Sequence, residues 1–115
     1  MSAVQSIDPG RYREVVQDSG TPVLLDFWAP WCGPCKAMSI VLERVAQHLG
    51  AAVAVHKLNV DDAPEIARAL NIRAIPTLVL FKDGQPAAQL VGAHGEDAVR
   101  QWVQTTLAAG AQGSA

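Results

Sequence analysis

Cys32 and Cys35 are the only cysteines in a chain of 115 residues, and Gly33 and Pro34 separate them. They lie in the stretch Trp28-Ala29-Pro30-Trp31-Cys32-Gly33-Pro34-Cys35-Lys36, which also holds two of the three tryptophans and two of the seven prolines. A dithiol at this spacing is open to three readings. A zinc site takes about four ligands, but His48, His56 and His94 are scattered, so no metal is expected. A structural staple across four residues restrains the unfolded chain by only roughly 2 kcal/mol, which suits reversible use better than permanent bracing. The third reading is thiol–disulfide chemistry, and the surroundings favour it. The apolar run Pro22-Val23-Leu24-Leu25-Asp26-Phe27 leads into the stretch and a helical pattern from Met38 to Leu49 leads out, which places the pair at a strand-to-helix junction. At a helix start, residues i and i+3 stack within disulfide reach. The first cysteine then meets unpaired backbone N–H groups and the positive end of the helix dipole, which favour thiolate. The second, one turn in, is expected to be more buried and to remain a thiol until needed.

The elements that must hold this junction can be read from periodicity. Asp8-Pro9 is an N-cap followed by a proline suited to the first helical position. Tyr12, Val15 and Val16 continue a short apolar stripe, which Ser19-Gly20-Thr21-Pro22 ends. Val23 to Phe27 is apolar on both faces except at Asp26, as in a central strand covered on both sides. Met38, Val41, Leu42, Val45 and Leu49 form one face of an amphipathic helix, and Gly50 stops it. Ala52 to Leu58 reads as a strand. Asp61-Asp62-Ala63-Pro64 opens a helix whose Ile66, Ala69 and Leu70 face inward. Thr77 to Phe81 is a strong strand, Lys82-Asp83-Gly84-Gln85 a hairpin turn, and Ala87 to Val91 the returning strand. A last helix follows Gly95-Glu96-Asp97, with Val99, Trp102, Val103 and Leu107 on its buried side. Residues around Val4 add a short edge strand. Alternating strands and helices imply an α/β fold with helices on both faces of a mostly parallel sheet, which the final hairpin makes mixed. One domain over residues 1–108 is expected, with residues 109–115 as a flexible tail.

Half of the residues are hydrophobic, 17% are charged, and the net charge is −2. That composition is globular. Without a Lys/Arg run, neither nucleic acid nor an anionic membrane has electrostatic support as a partner. No apolar run approaches the ~18 residues of a membrane span. Residues 1–8 lack the basic and apolar regions of a secretion signal, so the expected location is the cytoplasm.

Asp26 is the one charge in a strand that otherwise reads as buried. A lone buried carboxylate is costly, so it should be held neutral by a raised pKa or be paired, unless it is a solvated strand-end group. Lys57 lies in the neighbouring strand pattern, where a surface position is the ordinary outcome. Pro76 precedes a central strand, where proline belongs at a strand start, normally in trans.

Trp-Cys-Gly-Pro-Cys-Lys between a central strand and an amphipathic helix resembles the thioredoxin family, in its bacterial type. The resemblance covers about residues 4 to 108 and includes Asp26-Phe27-Trp28-Ala29, Lys57, Ile75-Pro76-Thr77, Phe81-Lys82-Asp83-Gly84 and Val91-Gly92-Ala93. It implies the thioredoxin fold, with a mixed central sheet of four to five strands and helices on both faces. It implies a protein-disulfide reductase in which Cys32 is the attacking nucleophile and Cys35 the resolving thiol. Asp26 is then the buried proton acceptor for Cys35, with Lys57 as its partner, and Gly33 and Pro34 tune the redox potential. The family further implies a cis Ile75–Pro76 bond, and a substrate-binding rim of Trp31, Ile75, Pro76, Gly92 and Ala93, extended by Val60 and Ala74. No bound cofactor is implied beyond a reversible Cys32–Cys35 disulfide. The implied partners are disulfide-containing proteins and an NADPH-dependent thioredoxin reductase, and the protein is expected to be a monomer. Where many family members carry a proline inside the long helix, this chain has Ile40, so that helix should run more smoothly and leave Ile40 exposed.

Two rival readings remain. One is a thiol oxidase or isomerase, against which Gly-Pro between the cysteines argues. The other is a redox-independent docking module that uses the rim as a binding surface.

Overall fold

The computed structural model describes residues 2–113, with side-chain surroundings as far as residue 109. Five strands form one sheet: β1 (Gln5–Ser6), β2 (Val23–Trp28), β3 (Ala54–Asn59), β4 (Thr77–Lys82) and β5 (Gln85–Val91). Three α-helices flank it: α1 (Gly33–Leu49), α2 (Pro64–Ala69) and α3 (Glu96–Gly113). The strand order is β1-β3-β2-β4-β5. β3 runs parallel to β1 and β2, whereas β4 is antiparallel to β2 and β5. The sheet is therefore mixed, with β2 at its centre.

Pleating divides the core into two layers. Leu24, Val55, Leu78 and Leu80 face α1 and α3, meeting Met38, Leu42, Val45, Val99 and Val103. Val23, Leu25, Phe27, Val79 and Phe81 face the other way, toward Val16 and the half-buried Tyr12, Ile66 and Leu70. By alternation, Asp26 and Lys57 belong to the α1 layer, the side from which the dithiol hangs. That alternation makes an otherwise apolar strand deliver one carboxylate beneath the junction.

The start of the chain winds differently from the expected α-helix. Asp8 accepts the N–H of Gly10 and Pro9 sits in the first turn, but the segment is a 3-10 turn over Pro9–Arg11 followed by a π-helical turn over Arg13–Gln17. The Asp18 N–H closes that wide turn on the Arg13 carbonyl at 2.8 Å. The wider winding sets Tyr12 and Val16, four residues apart, on one face. There Tyr12 packs edge-on to Phe81 with ring centres 6.2 Å apart. In α2, Ile66 and Leu70 pack inward, but Ala69 is exposed, contrary to the expectation.

α1 runs unbroken from Gly33 to Leu49, and Gly50 caps it at φ 58°. Ile40 is 62% exposed on its outer face, as expected. Asp83 and Gly84 both have positive φ, 53° and 77°, and Lys82 pairs with Gln85. This is the two-residue hairpin that Asp-Gly favours. α3 continues to Gly113, and residues 114–115 of the expected tail lie outside the described residues. Among the described residues, no helix is long and apolar enough to cross a membrane.

Candidate functional site

β2 ends at Trp28 and α1 begins at Gly33, so the dithiol spans the junction. Cys32 is the N-cap of α1, in an extended conformation at φ −88° and ψ 110°. Its Sγ accepts the backbone N–H of Cys35 at 3.2 Å. One of the orphan donors of the helix start is thus aimed at sulfur, the arrangement that favours negative charge there. Cys32 and Cys35 are joined as a disulfide with Cα atoms 5.3 Å apart. Cys32 Sγ also lies 3.8 Å from the Ile75 carbonyl oxygen.

The expected contrast between an exposed Cys32 and a buried Cys35 is small: the residues are 5% and 3% exposed. Ala29 packs against both, with Trp28, Val60 and Ile75 closing around them. What separates the two sulfurs is their surroundings. Cys32 faces the Ile75 carbonyl and the helix N–H. Cys35 lines a cavity of about 390 Å³ shared with Asp26, Trp28, Lys36, Ser39 and Lys57.

Asp26 is 1% exposed, and its Oδ1 has no hydrogen-bond partner in the protein. Burial pushes its carboxyl from the ordinary 3.8 up to about 7, while the positive charge of Lys57 pulls the other way. The cause is desolvation, which penalises the ionised form. A group with that pKa exchanges a proton freely near neutral pH.

Lys57 is beside Asp26 in the strand register, but no ion pair forms between them; its ammonium lies 5.0 Å from the centre of the Trp28 ring. The expected partnership is therefore a long-range one. A lysine ammonium within about 6 Å of an indole ring centre is attracted by the ring quadrupole, so the Lys57 charge is engaged at Trp28. The indole N–H of Trp28 is buried without a partner in the protein.

The rim assembles from three loops. Trp31 is 70% exposed. Ile75 and Pro76 approach from the segment before β4, and their peptide bond is cis. Gly92 donates its N–H to the Pro76 carbonyl at 2.8 Å and has φ +91°, a conformation that glycine alone adopts readily. The neighbouring Ala93 and Ala74 are exposed. A Cβ at Gly33 would meet nothing within 4 Å, so the fold itself does not demand glycine there.

One rim contact escaped the sequence reading. Trp31 Nε1 donates to Asp61 Oδ2 at 3.0 Å. The signal was indirect. β2 and β3 are parallel and in register from Val23–Ala54 to Trp28–Asn59, so the residues just past their ends become neighbours. His56 and His94 bond to the Gln5 and Val91 carbonyls. No group of three or more metal-ligating side chains occurs among the described residues.

A family model described as Thioredoxin matches residues 3–105. Thioredoxin 1 of Nostoc is 40% identical over 107 residues, covering 93% of this chain and all of the relative. A thioredoxin of Mycobacterium tuberculosis is 47% identical over 98 residues, covering 85% of this chain and 84% of the relative. The M-type chloroplastic thioredoxin of spinach is 46% identical over 90 residues, covering 78% of this chain and 50% of the relative.

Proposed function

The chain belongs to the thioredoxin family and reduces protein disulfides through its one cysteine pair, and on that premise we propose that Cys32 attacks, Cys35 resolves and Asp26 handles the proton. The Cys32 thiolate attacks one sulfur of a target disulfide. The target S–S bond breaks, a Cys32–target mixed disulfide forms, and the departing thiolate takes a proton. Cys35 then gives its proton to the Asp26 carboxylate and attacks the Cys32 sulfur. The second target thiolate leaves and takes up the proton held by Asp26, and the Cys32–Cys35 disulfide remains. Two electrons have passed to the target, with one proton from solvent and one from Cys35 by way of Asp26.

The observation that carries this reading is the cavity that Cys35 shares with the unpartnered, neutral-leaning carboxyl of Asp26. Lys57 acts there as a nearby charge rather than as a bonded partner. Gly33 and Pro34, between the two sulfurs, tune the redox potential. Trp31, Ile75, Pro76, Gly92 and Ala93 take the target backbone alongside Ile75, in the manner of strand addition.

The oxidised pair is recharged by a thioredoxin reductase, with NADPH as the ultimate donor. The working location is the cytoplasm, where thiols are kept reduced. Residues 1–108 form the working domain, so removal of residues 109–115 should leave turnover intact.

The test is insulin reduction coupled to NADPH oxidation through a thioredoxin reductase. Cys32→Ser should abolish turnover, and Cys35→Ser should instead accumulate mixed disulfides that survive until an external thiol is added. Full activity in the Cys32→Ser protein would refute the mechanism.

A further inference from the structure

The groove beside Cys32 carries a single charge. Trp31, Val60, Ile72, Ala74 and Ile75 line a shallow groove of about 190 Å³, and Arg73 is the one charged residue among its lining. Arg73 is exposed and takes part in none of the ion pairs among the described residues, which involve Arg11, Arg13 and Arg100. Its Nε donates to Asn71 Oδ1 at 3.1 Å.

Asn71 is well suited to that task. Its φ is +59°, a left-handed conformation that asparagine tolerates better than most residues. Its N–H is tied to the Arg68 carbonyl at 3.0 Å. The loop after α2 therefore holds the guanidinium by one edge. With Nε occupied, the Nη1–Nη2 edge remains free, and its parallel donors match a carboxylate. Asp61, the acid that also borders Trp31, is bonded to the indole N–H and forms no ion pair with Arg73.

We infer that Arg73 is a specificity-determining residue that favours targets bearing Asp or Glu within about three residues of the reacting cysteine. The inference rests on the reading above, in which the target lies across Cys32 and Ile75. The Ile75 carbonyl oxygen is 3.8 Å from Cys32 Sγ, and two residues of chain, at most ~7 Å, separate Ile75 from Arg73. An extended target whose cysteine faces Cys32 therefore passes the guanidinium within two or three positions.

The test uses octapeptides linked through a single cysteine to 2-mercaptopyridine, with Glu, Gln or Lys placed at each position up to three from the cysteine. The pre-reduced full-length protein is mixed with each peptide and pyridinethione release is followed. Glu peptides should react about two- to fivefold faster than Gln peptides at the best position, the range of a solvent-exposed ion pair, with Lys peptides slower still. Arg73→Gln should bring the Glu/Gln ratio close to one. Asn71→Gly, which keeps the positive φ and removes Oδ1, should fall between. The ratio should shrink as salt is added. A flat ratio in the native protein, or one that Arg73→Gln leaves intact, overturns the inference alone. Failure of the native protein to react with any peptide overturns the reductase reading and this inference with it.

Discussion

Replacing Asp26 by Asn should stabilise the oxidised protein at pH 8 and change little at pH 4. The carboxyl ionises near 3.8 when the chain is unfolded and near 7 in the folded protein, because burial disfavours its charged form. Below both values the group is protonated in both states and contributes nothing to the pH dependence. Between them the unfolded chain releases its proton and the folded one does not, so stability falls as pH rises. Above about 7 both states are ionised and the full penalty is in force. The gap between 3.8 and about 7, at 1.36 kcal/mol per pH unit, corresponds to about 4 kcal/mol. With Asp26 only 1% exposed, solvent screening takes little from that figure.

The assay is urea unfolding of both oxidised proteins from pH 4 to pH 9. Glu14 and Glu43, held below the usual carboxylate range by hydrogen bonds from Arg11 and Ser2, titrate alike in both proteins. So does His56, whose pKa is lowered by burial. Their contributions cancel in the difference. The advantage of the Asn variant should grow by about 4 kcal/mol between pH 4 and pH 8 and then level off. A difference that stays flat across the range would show that the carboxyl is not held neutral by burial, and the proton role assigned to it would fall too.

Three further outcomes can be checked. Gly84→Ala should destabilise by about 2–4 kcal/mol in chemical unfolding, since φ is +77° and the new Cβ would run into the Gln17 carbonyl. This site lies at the end of the sheet away from the dithiol, so disulfide reduction by the folded variant should be unchanged. Lys57→Met removes the charge that opposes burial at Asp26, so the pH profile of the resolving step should move upward, and Trp28 fluorescence should change as the cation leaves its ring. Trp31→Ala, at a residue 70% exposed, should keep the unfolding free energy within about 0.5 kcal/mol. It should also lower kcat/KM for protein disulfides about tenfold, the equivalent of one lost apolar contact area.

Much of the fold was legible because its signals are local. The continuous apolar run from Val23 to Phe27 reveals a strand covered on both faces, and the period-2 pleat commits Asp26 to the α1 side. The helical stripe from Met38 to Leu49 assigns α1 its inner face and leaves Ile40 outside. Asp83-Gly84 specifies its turn because both positions need positive φ. The first helical segment was less legible. Its 3-10 and π winding places Tyr12 edge-on to Phe81, some 69 residues further along the chain, and no local propensity encodes that contact.

By itself, the sequence determined the chemistry: one dithiol at a helix start, one carboxylate inside an apolar strand, and a proline at the start of a later strand. Tertiary structure decided how these groups face one another. It brought Pro76 and Gly92 together beside Cys32, and made the two cysteines nearly equal in exposure but different in neighbours. It turned Lys57 toward Trp28 instead of Asp26, tied Trp31 to Asp61, and used Asn71 to hold Arg73 at the groove. The physical reason is common to all of these. Burial and backbone periodicity follow from residue type and spacing along the chain. The direction of a long or exposed side chain is chosen by partners that only strand register and loop packing bring within a few ångströms.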